Sequence, residues 1–289
     1  MKYATLKYEE YMQIAKGQDG AIYNGLLFRF DNAGHCFIYD LAKKELVSEF
    51  TLDRVEDFSP HSNAVFFGTE KYDEQDEFPL LYTNLYNNYA KKEDRREGVL
   101  CAYRLTREGG AFSTRLVQII RIGFVNDLDL WKSLEDSGDV RPYGNFILNP
   151  ETGKLYAFVM RDKERITRYF EFDMPTLSEG ELCPECGIPV VWLKREDILA
   201  QFDGSYSNYI QGACFFNGML ISIEGGTVRD PEPKHPPRMQ IMDVQAREQI
   251  GDIPLHRLGL LIEPELIYPY EGTLYYADCY GQVYTLTLK

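Results

Sequence analysis

The sequence predicts an all-β chain: a five-bladed β-propeller of four-stranded antiparallel blades, the last blade closed by the N-terminal strand. Three observations lead there. The 289 residues are 14% aromatic, with 21 Tyr and 17 Phe, side chains that suit pleated surfaces. Short apolar or alternating runs end in Gly, Asn, Asp or Pro at roughly 8–12-residue spacing, the pattern of antiparallel all-β architectures. A unit of strand, turn and strand then recurs five times, each time followed by a third strand.

The units run in order along the chain. The first begins at Asp19 with DGAIYNGLLFRF and continues with HCFIYDL and LVSEFTL. The second begins with SNAVFFG at Ser62, followed by PLLYTN, VLCAYRL and TRLVQIIRI. The third is GNFILNPETGKLYAFV from Gly144, then TRYFEFD, with VVWLK expected as its fourth strand. The fourth is QGACFFNGMLISIEG from Gln211, then MQIMDV and EQIGDIPL. The fifth, ELIYPYEGTLYYAD from Glu265 with QVYTLTL, has three strands and then the chain ends at Lys289. A spare strand, ATLKYEEYMQIA, precedes the first unit. The simplest closure pairs Ala4 to Ile14 with Val283 to Leu288, leaving only short outer edges around the ring.

The second positions of the units are Gly20, Asn63, Asn145, Gly212 and Leu266. The widest gap, Asn63 to Asn145, has room for a sixth blade. It is expected instead to hold charged loop insertions at Gly68 to Phe78 and Asn87 to Glu97, and a short helix over Val125 to Asp136. A second helix is expected over Leu193 to Phe202, LKREDILAQF. The one Pro-rich run, Pro231 to Pro237, fits a loop between the second and third strands of the fourth blade. No linker interrupts residues 1–289, which read as one domain.

Charge excludes some functions. The formal net charge of −14 opposes phosphate backbones and anionic lipid, so neither a nucleic-acid reader nor a polybasic membrane binder is expected. The N-terminus lacks the apolar core of a signal peptide, and no run approaches the roughly 20 apolar residues of a membrane helix. Six cysteines are too sparse for a disulfide scaffold. Cys36, Cys101, Cys214 and Cys279 lie in strand-like runs and read as buried reduced thiols, so a cytoplasmic location is expected.

In a propeller the start of each inner strand and the end of the next strand converge at one channel mouth. Those positions are Asp19 and Asp31, then His61, Ser62, Asn63 and Asn84, then Tyr143, Asn145, Arg161 and Asp162, then Tyr209, Gln211 and Glu224, and finally Glu263, Glu265 and Asp278. Turn residues occupy the opposite ends instead. A concave mouth with convergent polar groups is the default ligand site. The candidate ligand-binding residues are Asp19, His61, Asn63, Tyr143, Asn145, Gln211, Glu224, Glu263 and Glu265.

Three chemistries fit them. Asp19, Glu224, Glu263 or Glu265 would serve a glycoside hydrolase or lyase that needs two carboxyl groups across the ring. Asp19, Asn63, Asn145, Gln211 and Glu265 offer oxygens to a channel Ca²⁺, though no calcium-loop motif accompanies them and no cofactor is required. Recognition of a small polar molecule or glycan, with Tyr143 and Tyr209 stacking on it, asks least of the sequence. His61 is the one histidine at the mouth, suited to a base, a ligand or a hydrogen-bonded structural role. No nucleophile elbow, phosphate loop or dinucleotide fingerprint is present. A protein-interaction platform built on the charged second-blade insertion is a further reading. Crowded carboxylates on one axis would have raised pKa values, so Asp19→Asn with Glu265→Gln is expected to leave the fold intact.

Cys183-Pro184-Glu185-Cys186-Gly187 has the form of half a zinc knuckle. No second CxxC exists to complete it, and no metal is expected.

The starts Gln211-Gly212 and Glu263-Pro264-Glu265, with Pro60-His61-Ser62-Asn63, resemble inner strands of propellers related to teichoic-acid biosynthesis protein C and phage receptor-binding proteins. The chain departs from them with Leu266 in place of Gly and Ser62 in place of a small apolar residue. The resemblance implies a five-bladed propeller that binds a cell-envelope polymer or another glycan, and it implies no catalytic residue.

Overall fold

The structure, a computed structural model, describes residues 2–58, 60–85, 98–122, 142–161, 165–206, 210–229 and 234–289. Five antiparallel sheets stand in a ring, with the inner strands of successive blades in contact and the fifth blade against the first. Blade 1 comprises Gly20–Tyr23, Leu26–Phe30, His35–Asp40 and Glu45–Thr51 from the axis outward. Blade 2 comprises Val65–Phe67, Leu81–Leu85, Val99–Glu108 and Ala111–Ile122; blade 4 comprises Ile210–Phe216, Met219–Glu224, Arg238–Asp243 and Glu248–Ile253.

Blade 5 closes the ring as the sequence predicts. Pro264–Tyr270, Thr273–Asp278 and Gln282–Leu288 come from the C-terminus, and Leu6–Gln13 supplies the outer strand. Its register runs from Leu6 opposite Leu288 to Gln13 opposite Gln282. Leu6, Met12 and Ile14 are buried by this closure. Gly281 is required where the chain leaves the strand: it sits at φ 88°, and a Cβ there would lie 2.2 Å from the Ile14 carbonyl oxygen.

Tight turns link the first and second strands of three blades. Asn24-Gly25, Asn217-Gly218 and Glu271-Gly272 all have positive φ at both positions, the twist that two-residue hairpins need. Apolar side chains alternate from these strands into four clusters between neighbouring blades.

Blade 3 departs from expectation. Its first three strands are Pro142–Asn149, Lys154–Arg161 and Ile166–Asp173. VVWLK does not complete it. Pro189–Leu193 instead pairs in parallel with Ala111–Ile122 on the outer edge of blade 2, Val190 opposite Ile119 and Leu193 opposite Ile122. A hairpin partner, Glu181–Leu182, extends that sheet to six strands. The chain then returns, and Ala200–Ser205 becomes the fourth strand of blade 3, Phe202 opposite Tyr169. The expected helix over Leu193 to Phe202 is therefore a short 3₁₀ turn, Arg195–Asp197, followed by a strand. Edge pairing explains the exchange. The long Ala111–Ile122 strand would otherwise expose unpaired backbone groups, and the most β-prone segment nearby covers them while burying Val190 and Leu193.

The expected helix over Val125 to Asp136 and the insertion over Asn87 to Glu97 lie outside the described residues, as does part of the Pro231 to Pro237 loop. Among the described residues no helix is long and apolar enough to cross a membrane.

Candidate functional site

The inner strands begin with polar side chains that clasp the next blade. The Asp19 amide donates to the Ser62 carbonyl at 3.0 Å, and Asp19 Oδ2 accepts the Val65 amide at 2.8 Å, so blades 1 and 2 hold each other reciprocally. Asn145 Nδ2 donates to the Ile210 carbonyl at 3.1 Å, joining blade 3 to blade 4. Gln211 Nε2 donates to Glu263 Oε1 at 2.5 Å, joining blade 4 to blade 5. Within blade 2 the Asn84 amide donates to Asn63 Oδ1, and Asn84 Oδ1 accepts the Ala64 amide at 3.1 Å.

Asp19 and Glu265 come together with a residue that sequence reasoning missed. Arg29 lies on the second strand of blade 1, opposite Gly20, and is completely buried. Its Nη2 donates to the Gly17 and Asp278 carbonyls, both at 2.8 Å, across the seam between blades 1 and 5. The guanidinium interacts with the Glu265, Asp19 and Asp278 carboxylates. Blade 4 approaches the same place, because a Cβ on Gly212 would lie 3.4 Å from Asp19 Oδ1 and 2.9 Å from the Glu265 carbonyl oxygen. Leu266 fills space that Gly20 leaves open: a Cβ on Gly20 would meet the Leu266 side chain at 2.8 Å. The signal for Arg29 was present in LLFRF, a single charge inside an otherwise apolar inner strand. A buried charge of that kind is retained only with partners.

Burial pushes the Asp19 and Glu265 carboxyls well above the usual range, with Arg29 pulling the other way. Burial lowers the Arg29 pKa, and its three carboxylate neighbours oppose that. The carboxylates repel one another, Glu263, Asp19 and Asp278 all raising Glu265 beyond the effect of burial, and Arg29 offsets part of that repulsion. Asp19→Asn with Glu265→Gln removes that repulsion and also takes two of its three carboxylate neighbours from Arg29, so the double variant is expected to lose stability.

Several buried polar atoms have no hydrogen-bond partner among the described residues: Asp19 Oδ1, Glu265 Oε2, and Arg29 Nε and Nη1 in this group, and Asn145 Oδ1 on blade 3. Further along the blade 5 inner strand, Tyr268 packs against three of the four core clusters, and the Phe67 amide of blade 2 hydrogen-bonds its hydroxyl.

Other candidates lie apart or serve the fold. Glu224 accepts Gln240 Nε2 at 2.8 Å and pairs with Arg238 at 3.3 Å. Burial raises its carboxyl to about 8 against those two partners. A folded-state value above the ordinary 4.5 gives stability that is whole below pH 4.5 and is lost as pH rises through 8. Glu224→Gln should therefore flatten the fall in urea midpoint between about pH 5 and 8, and an unchanged slope would refute the assignment. Asp31 caps a turn, accepting the Ala33 and His35 amides, and Asp278 accepts those of Tyr280 and Gln282. His61 is half-buried, and burial lowers its pKa. The side chains of Tyr143 and Arg161, and residues Asp162 and Tyr209, lie outside the described part. Among the described residues no group of three or more His, Cys, Asp or Glu side chains is arranged to hold a metal ion. Of the oxygens offered to a channel Ca²⁺, Asp19 Oδ2 accepts the Val65 amide and Asn63 Oδ1 accepts the Asn84 side-chain amide.

The charged insertion at Gly68 to Phe78 is tied to its own blade. Arg104 forks onto Asp76, Arg107 pairs with Glu77, and Arg104 and Arg115 both stack on Tyr72.

No family model matches the chain, and no curated protein matches it. Among solved structures it is similar to a glutaminyl cyclase from Myxococcus xanthus, with a TM-score of 0.52 and 12% identity over 98% of this chain and 94% of that one. It is also similar to the β-propeller domain of Cps50 (Swd1) from Myceliophteria thermophila, with a TM-score of 0.45 and 10% identity over 96% of this chain and 99% of that one. At such identities the likeness is one of fold.

Proposed function

We propose that the protein binds a small polyhydroxylated ligand, a sugar or short glycan, at the channel mouth over Asp19, Arg29, Asn145 and Glu265. The observation that carries this reading is the set of buried polar atoms left without protein partners there. A buried acceptor or donor left unmade costs about 1–3 kcal/mol, so such a cluster calls for water or a ligand to complete it. Sugar hydroxyls both donate and accept, which matches a site mixing carboxylate and amide oxygens with guanidinium N–H groups. The inner-strand resemblance to envelope-polymer propellers agrees with a glycan.

Hydrolysis is the weaker reading. Acid and base roles need two carboxyl groups whose environments push them apart, whereas burial pushes Asp19 and Glu265 in the same direction around one arginine.

Isothermal titration against neutral monosaccharides, polyols and short glycans tests the proposal. At least one should bind saturably, and Glu265→Gln should weaken it about tenfold or more, the effect of losing a charge-assisted bond. Glu265 is one of three carboxylates facing the buried Arg29, so the variant is expected to melt lower than wild type, and titrating it below its own melting temperature separates loss of binding from loss of fold. A panel without any binder, or equal binding by the variant, would remove the mouth as the site.

A further inference from the structure

We propose that Cys183 and Cys186 form a redox-active dithiol, oxidised to a local disulfide by exchange with a small-molecule disulfide such as glutathione disulfide. The two residues form the turn between Glu181–Leu182 and Pro189–Leu193, at the end of the segment that covers blade 2. The turn is closed by the Gly187 amide on the Cys183 carbonyl at 2.7 Å and the Cys183 amide on the Ile188 carbonyl at 3.0 Å. Gly187 takes φ 70° to permit it. This folds the two cysteines, three residues apart, onto one tight turn. The turn is anchored by Arg54, whose Nη1 donates to the Cys186 carbonyl at 2.6 Å, and it packs beside Val55. Both cysteines are free and half-buried, within reach of a small reagent.

The arrangement assigns an order to the exchange. Cys183 Sγ donates to Glu185 Oε2 at 3.1 Å, which keeps its proton in place and raises its pKa. Cys186 therefore attacks first. Its thiolate forms a bond to one sulfur of glutathione disulfide, and the other glutathione leaves as a thiolate. Cys183 then passes its proton to Glu185 and attacks Cys186 Sγ, releasing the second glutathione. The net change converts a protein dithiol and one glutathione disulfide into a protein disulfide and two glutathiones. The other thiols are poorly placed to compete. Burial holds Cys36 and Cys214 far up, and raises Cys279 to about 11 with help from Glu263, Glu265 and Asp278.

The test is thiol counting and peptide mass spectrometry on the full chain, purified without added metal and incubated with glutathione disulfide. The folded protein should lose two of its six thiols, and the peptide spanning Cys183 and Cys186 should become about 2 Da lighter without a glutathione adduct. Dithiothreitol should reverse the change. Cys183→Ser should instead accumulate a single glutathione adduct on Cys186. The proposal is overturned by an unchanged thiol count, by stable glutathione adducts on both cysteines of the wild type, or by about one zinc per chain held on these thiols before oxidation.

Discussion

Arg29→Met is expected to destabilise the protein by about 3–5 kcal/mol, the usual cost of removing one partner from a buried ionic group. Methionine fills similar space but carries no charge. Asp19 and Glu265, both buried, would lose the cation that opposes their desolvation. The Gly17 and Asp278 carbonyls would lose their donor at the seam between blades 1 and 5. Burial already raises both carboxyls, and losing Arg29 raises them further. They would take up protons more readily, so the loss should be larger at pH 8 than at pH 5. Urea unfolding at the two pH values measures this. Adding Asp19→Asn and Glu265→Gln to Arg29→Met should recover part of the stability, because neutral amides need no counterion. A loss under about 1 kcal/mol at both pH values would mean that water, not Arg29, serves the carboxylates.

Deletion of residues 1–15 should cost still more. It removes the outer strand of blade 5, Leu6–Gln13, and with it the buried side chains of Leu6, Met12 and Ile14. At about 1.5–3 kcal/mol for each such side chain, the apolar loss alone is about 5–9 kcal/mol. That is comparable to the whole stability of an ordinary domain, about 5–15 kcal/mol. The strand also seals the ring. Without it Gln282–Leu288 becomes an open edge, and the seam of blade 5 against blade 1 loses its covalent tie. The truncated chain should lack a cooperative melting transition and should aggregate. If calorimetry found the full-length melting temperature, the closing strand would be dispensable.

The comparison of sequence with structure divides by the range of the interactions involved. Blade number, the Asn24-Gly25, Asn217-Gly218 and Glu271-Gly272 turns and the N-terminal closure were legible because they rest on local patterns: alternation, positive-φ turn residues, one spare strand before the first unit and a last unit one strand short. The places of Asp19, Asn145 and Gln211 at the starts of inner strands were legible for the same reason. Leu193 to Phe202 misled because apolar positions in LKREDILAQF recur at helical spacing. Tyr169 and Phe202 stack at 5.1 Å, a contact between residues far apart in the chain that draws the segment into a strand.

The sequence by itself determined the ring, its five inner strands and the way its termini meet, since backbone pairing and burial on a two-residue period leave few other arrangements. Only the tertiary structure decided which strand lies on which blade, because an edge accepts any β-prone segment within reach, and proximity selected Pro189–Leu193 for blade 2. It alone decided the character of the mouth as well. How far the repulsion between Asp19 and Glu265 is offset depends on Arg29, which reaches the same buried space from the strand beside them. Electrostatic energy there is set by distances across the ring between blades 1 and 5, and those distances exist only once the ring has closed.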